Sequence, residues 1–171
     1  MTNTDSTINA WLRGRLPDAW TAEPAHIEID RDEITIMLVV TPPELDDGAT
    51  DADRAEALAG RATGFREETR EARIQIAREA EHRYERKIAW GVDVGDRSEL
   101  FTHLAVPVMT RLRQPERMVL DTLVAANVAR SRADALAWCV RLVGEHTGDW
   151  LTELRDAMQA VDRLRAEGPT T

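Results

Sequence analysis

Lysine and cysteine are nearly missing from this chain: Lys87 and Cys139 are each the sole residue of their kind among 171. A single thiol excludes an intramolecular disulfide, and with it the stapled small folds of oxidising compartments. The four histidines, His26, His82, His103 and His146, lie far apart, so together with one cysteine they give no zinc-ligand spacing. No apolar run approaches the ~20 residues that span a bilayer. The opening "MTNTDSTINAWLRGRLP" lacks a basic stretch followed by an apolar one, which argues against a signal peptide. Phosphate-binding loops, GxGxxG and nucleophile elbows do not occur either. These absences predict a cytoplasmic protein that is not an enzyme, carries no metal or cofactor, and has no membrane partner.

A hydrophobic fraction of 43% and a charged fraction of 31% fit a folded chain rather than a disordered one. The length allows one ordinary domain or two small ones with a real core. The formal net charge of -9 opposes nucleic-acid binding if it is spread evenly. It is not. Residues 1–102 hold 13 basic and 22 acidic side chains, residues 103–148 hold 6 and 4, and residues 149–171 hold 3 and 5. Only the middle block is net basic. The ratio of 21 arginines to one lysine reads as genome composition rather than function.

Hydrophobic periodicity divides the first half. Ile8, Trp11 and Leu12 mark a short helix over 6–16 that Pro17 ends. "HIEIDRDEITIMLVV", 26–40, alternates as a β-hairpin, with Ile34, Ile36, Leu38 and Val40 on one face. After the loop "TPPELDDGAT", one long helix is predicted over 51–86, with a narrow stripe of Leu58, Ala62, Phe65, Thr69, Ala72, Ile76 and Ala80. The Glu and Arg side chains around that stripe read as a solvated face rather than a coiled-coil arm. "KIAWGVDVG", 87–95, returns as a strand, and "WGVDVGD" reads as that strand leaving through a Gly-Asp turn rather than as a carboxylate site.

The second half changes character. "HLAVPVMTRLRQP", 103–115, alternates like a strand: Val106, Val108, Thr110 and Leu112 point one way, Met109, Arg111 and Arg113 the other. Helices follow over 116–126, from 132 to about 145, and from about 149 to 166. The stretch "ARSRADALAWCVR", 129–141, is the most informative in the chain. Ser131 is placed to cap a helix, with Asp134 three residues on to return a hydrogen bond as a capping box. Asp134 and Arg141 are the only charges between Arg132 and Glu145. A helix apolar nearly all round is buried from several sides, and in so short a segment the extra cover comes from a second chain. Cys139 is then a core residue, and Trp138 and Trp150 are packing anchors rather than a ligand cage.

A basic-faced strand, a helix, a tight turn and "RSRADAL" opening an apolar helix resemble the ribbon-helix-helix (Arc/MetJ/CopG-like) DNA-binding family, whose second helix typically starts "RSRSEAI". Arg130, Ser131, Arg132 and Ala135 match, with Asp134 and Leu136 conservative, and Asn127 stands where the family often has glycine. The resemblance covers residues 106–145. It implies an intertwined homodimer of bacterial regulators, in which two strands pair into a ribbon that enters the DNA major groove. It places Met109, Arg111 and Arg113 against the bases and Ser131 and Arg132 against a phosphate. Leu112, Leu120, Leu123, Leu136, Cys139, Val140 and Val143 then form the dimer core.

The fold class expected is therefore α+β: a small sheet with a long helix over 1–100, a ribbon-helix-helix segment over 101–147, and a C-terminal helix and tail over 148–171. Two functions follow. One is a dimeric DNA-binding transcriptional regulator whose N-terminal unit takes a protein or small-molecule effector. The other is a scaffold that keeps the ribbon-helix-helix only for homodimerisation and binds a protein through its acidic N-terminal half.

Overall fold

The computed structural model describes residues 3–167, and the tail 168–171 expected after the last helix lies outside the described residues. The chain divides into two compact units, Met1–Pro107 and Val108–Thr171.

In the first unit the order is α1 (Asn3–Arg15), a 3-10 turn (Asp18–Trp20), β1 (His26–Ile29), β2 (Glu33–Val40), α2 (Asp51–Glu68), α3 (Arg70–Tyr84), β3 (Lys87–Val94) and β4 (Arg97–Leu100). The four strands form one sheet in the order β1-β2-β3-β4. The outer pairs are antiparallel hairpins and the central pair β2–β3 is parallel. A parallel pair needs a long crossover, which α2 and α3 supply. Its register sets Ile34 beside Ile88, Ile36 beside Trp90, Leu38 beside Val92 and Val40 beside Val94. All eight are buried, so one face of the sheet is a continuous apolar floor. Ile8 and Leu12 of α1, Ala62 and Phe65 of α2, and Ile76 and Ala80 of α3 close it from above. A two-bond ion pair of Arg15 with Glu79 (2.8 Å each) ties α1 to α3.

Three features depart from the pattern read along the sequence. The hairpin β3–β4 adds a fourth strand to the three expected. Its two-residue connection is Gly95-Asp96, between the paired Val94 and Arg97, and Gly95 sits at φ +60. Glycine in the first loop position is the requirement of a type II′ turn. The long helix is interrupted at Thr69, whose hydroxyl donates to the Phe65 carbonyl (2.6 Å). The buried stripe also runs through Arg73 where Ala72 was expected, and Ala72 is exposed. At 100° per residue, positions 72 and 73 lie equally far, about 50°, on either side of the line joining 65, 69, 76 and 80, so helix geometry alone does not choose between them. Arg73 is accommodated by donating to Thr69 Oγ1 (2.9 Å) and to the Arg66 carbonyl (2.7 Å), while its guanidinium stacks 5.1 Å from the Phe101 ring centre. Burial, with Arg66 and Arg70 nearby, pushes its pKa down.

The second unit holds α4 (Gln114–Ala125), α5 (Arg132–His146) and α6 (Gly148–Glu167). Leu120, Ala129 and Ala135 are its buried centre, with Leu112, Leu123, Val124, Leu136 and Cys139 packed around them. The expected strand over 103–115 is not formed: 102–113 has no regular element and α4 begins at Gln114. A strand is made by the bonds of a neighbour, and a single copy of this segment has none. Among the described residues no helix is long and apolar enough to cross a membrane.

Candidate nucleic-acid interface

The candidate site lies at the junction of α4 and α5. α4 carries Pro115 in its first turn, and Arg117 reaches back to donate to the Leu112 carbonyl (2.7 Å), which fixes the chain entering the helix. The helix ends through Asn127 at φ +56, a left-handed conformation that asparagine tolerates better than most residues. Beyond it the Val128 amide donates to the Leu123 carbonyl (3.0 Å), closing the helix end. Ser131 caps α5 by accepting from the Asp134 amide (3.2 Å). The return bond goes one residue further back than a capping box would have it: Asp134 accepts from the Arg130 amide (3.0 Å). That bond holds the Asp134 carboxyl below its ordinary range.

The residues expected at the bases, Met109, Arg111 and Arg113, all lie in the irregular stretch before α4 and are exposed; Met109 is 99% accessible. Those expected at phosphate, Ser131 and Arg132, open α5. Arg132 is not idle there. Its guanidinium donates two bonds to the Asp121 carboxylate of α4 (2.6 and 2.7 Å), which lowers the pKa of Asp121 and raises that of Arg132. Sequence reading missed Asp121, and no local signal marks it, because it lies eleven residues before its partner and meets it only when the two helices fold together.

Of the seven residues assigned to a dimer core, Leu120 is buried, and Leu112, Leu123, Leu136 and Cys139 are partly buried against it. Val140 and Val143 are 66% and 56% exposed. Within one copy α5 buries only Ala135 completely. Among the described residues no group of three or more His, Cys, Asp or Glu side chains is placed to hold a metal ion.

Comparison with known proteins divides the chain in a similar way. The family described as Rv1265-like protein, N-terminal domain, matches residues 6–100. The family described as Mb1296 C-terminal domain matches residues 113–165. The uncharacterized proteins Mb1296 of Mycobacterium bovis and Rv1265 of Mycobacterium tuberculosis are each 56% identical to the chain over 159 residues. The match spans 93% of this chain and 69% of theirs. No solved structure matches it.

Proposed function

The chain belongs to the family of the Rv1265-like proteins. From its own residues we propose that it is a cytoplasmic DNA-binding transcriptional regulator that works as a ribbon-helix-helix homodimer. One observation carries the reading. A helix, a left-handed asparagine turn and a serine-capped apolar helix leave Val140 and Val143 open, and a largely exposed segment without regular structure precedes them. A second copy answers both needs. It covers the open side of α5, and its own segment supplies the strand partner that residues 106–113 lack.

Pairing two such segments antiparallel brings Met109, Arg111 and Arg113 of both copies onto one face of a two-stranded ribbon, the width that a major groove admits. The arginines then donate in pairs to guanine edges. The opening turn of α5 offers amides and the positive end of its dipole to a phosphate, with Arg132 as the cation beside them. The acidic unit Met1–Pro107 is the module through which a protein or small-molecule effector acts.

The two-bond clasp of Arg132 by Asp121 favours a second reading, in which the helices serve only to dimerise and the acidic first unit binds a protein. One titration decides between the two. The unmodified protein and two variants are titrated at several salt concentrations against a site selected from random DNA and a scrambled one. Arg111→Ala should lose roughly 1–3 kcal/mol of discrimination at its base. Arg132→Ala should weaken all sequences alike and lower the salt slope by about one unit per cation removed. No binding at low salt, or an Arg111→Ala variant with affinity and preference both unchanged, hands the case to the scaffold reading.

A further inference from the structure

The first unit carries a cleft between the end of α1 and the chain leading into β1. It holds about 340 Å³, towards the lower end of the ~300–1,000 Å³ typical of small-ligand sites. Leu16, Pro17, Ala25 and Ile27 give it an apolar floor. Leu16 is buried, and Ala25 and Ile27 pack on the core of the unit. The backbone around the cleft is pinned. The Leu16 amide donates to the Leu12 carbonyl (2.9 Å), the Trp20 amide to the Pro17 carbonyl (3.0 Å), and the Ala22 amide to the Val39 carbonyl of β2 (2.7 Å). A cleft formed in advance costs its ligand less ordering.

Charges of both signs line the same cleft. Arg13, Asp18 and Glu23 are exposed there. Arg13 uses only its Nε, which donates to Asn9 Oδ1 (2.8 Å). Among the described residues its terminal nitrogens meet no carboxylate, and the carboxylates of Asp18 and Glu23 take part in no hydrogen bond or ion pair.

We propose that this cleft binds a free amino acid with an apolar side chain. Charge selects that class. An anion alone pairs with Arg13 but faces Asp18 and Glu23, in a unit that holds all of the net -9. A cation alone pairs with the carboxylates and faces Arg13. An α-amino acid carries a carboxylate and an ammonium on one carbon and is neutral as a whole. Its carboxylate takes the Arg13 guanidinium, a donor suited to it. Its ammonium goes to Asp18 and Glu23, and its side chain covers the apolar floor. That the amino acid acts as the effector of a regulator rests on the reading above; that it binds does not.

The test is calorimetric titration of the full-length chain, without DNA, with L-valine, L-leucine, L-isoleucine, L-methionine and L-phenylalanine. The tightest of them is then compared with its N-acetyl derivative, an anion, and its amide, a cation. Each analogue should bind about ten-fold or more weaker, the loss of one charge-assisted pair. Arg13→Gln should weaken the amino acid and leave the amide unaffected or improved. The double variant Asp18→Asn, Glu23→Gln should weaken the amino acid and prefer the N-acetyl derivative to the amide. Opposite shifts of preference in the two variants do not arise from a loss of fold. No binding of the five amino acids at millimolar concentration, an analogue that binds as tightly as its parent, or variants with the preference unchanged overturns the proposal. An amino acid that binds in this pattern but leaves DNA affinity unaltered upholds the site and removes only its role as effector.

Discussion

At the scale of single residues, the contest over Arg132 decides the most. Its two bonds to Asp121 are between half-exposed groups, so they are screened and exchange readily with a better anion. A DNA phosphate is such an anion. Asp121→Asn should therefore free Arg132 and strengthen DNA binding several-fold at low salt, with a salt slope steeper by roughly 0.9 per cation released. Titration of that variant beside the unmodified protein measures it, and an affinity unchanged or lowered would mean that Arg132 does not reach phosphate. The same carboxylate sets an acid limit. Asp121 is held below the ordinary aspartate range chiefly by the guanidinium of Arg132, and Asp134 chiefly by the Arg130 amide. A depressed folded pKa gives stability that is present above the unfolded value and lost as pH falls through the folded one. Melting of α4 and α5 followed from about pH 5 down to about pH 3 should show that loss, and Asp121→Asn should show less of it.

Elements in the first unit are held by close approach as much as by apolar area. Gly91 faces Leu100 across the β3–β4 pair, and a β-carbon on it would lie 2.8 Å from the Glu99 carbonyl oxygen and closer still to Met37 Sδ. The methionine can swing aside; the backbone of β4 cannot. Gly91→Ala should cost about 1–3 kcal/mol by overpacking, read as a lower denaturation midpoint at an unchanged slope. A variant as stable as the parent would mean that β4 is free to part from β3. The break at Thr69 is likewise built from specific bonds. Arg73 takes the Arg66 carbonyl and the Thr69 hydroxyl, and it stacks on Phe101 with Trp90 at 6.0 Å, so a planar guanidinium is needed there and an ammonium would not serve.

Across the whole molecule, charge separates the two units. Residues 1–107 hold all of the net -9, and residues 108–171 are neutral. Each unit also has its own apolar centre. The fragment 108–171 should fold and associate alone, and it should bind DNA more tightly at low salt than the full chain, because the block that repels phosphate is gone. Circular dichroism and sedimentation of the fragment check the first part, and titration beside the full chain the second. An unfolded or insoluble fragment would mean that its helices need the first unit for their core.

The sequence by itself determined what depends on neighbours along the chain. The alternation from His26 to Val40, the apolar spacing of α4 and α5, the Ser131 cap and the Asn127 turn were legible because caps, turns and periodic faces are set within a few residues. Tertiary structure alone decided what depends on distant partners. The parallel register of β2 with β3, the burial of Arg73 at a position where an alanine one residue earlier looked the better core candidate, and the clasp of Arg132 by Asp121 all require elements far apart in sequence to meet. The segment 102–113 shows the limit of reading either alone. Its alternation predicts a strand and none is formed, because alternation is set along the chain while strand bonds come from a neighbour that alternation does not supply.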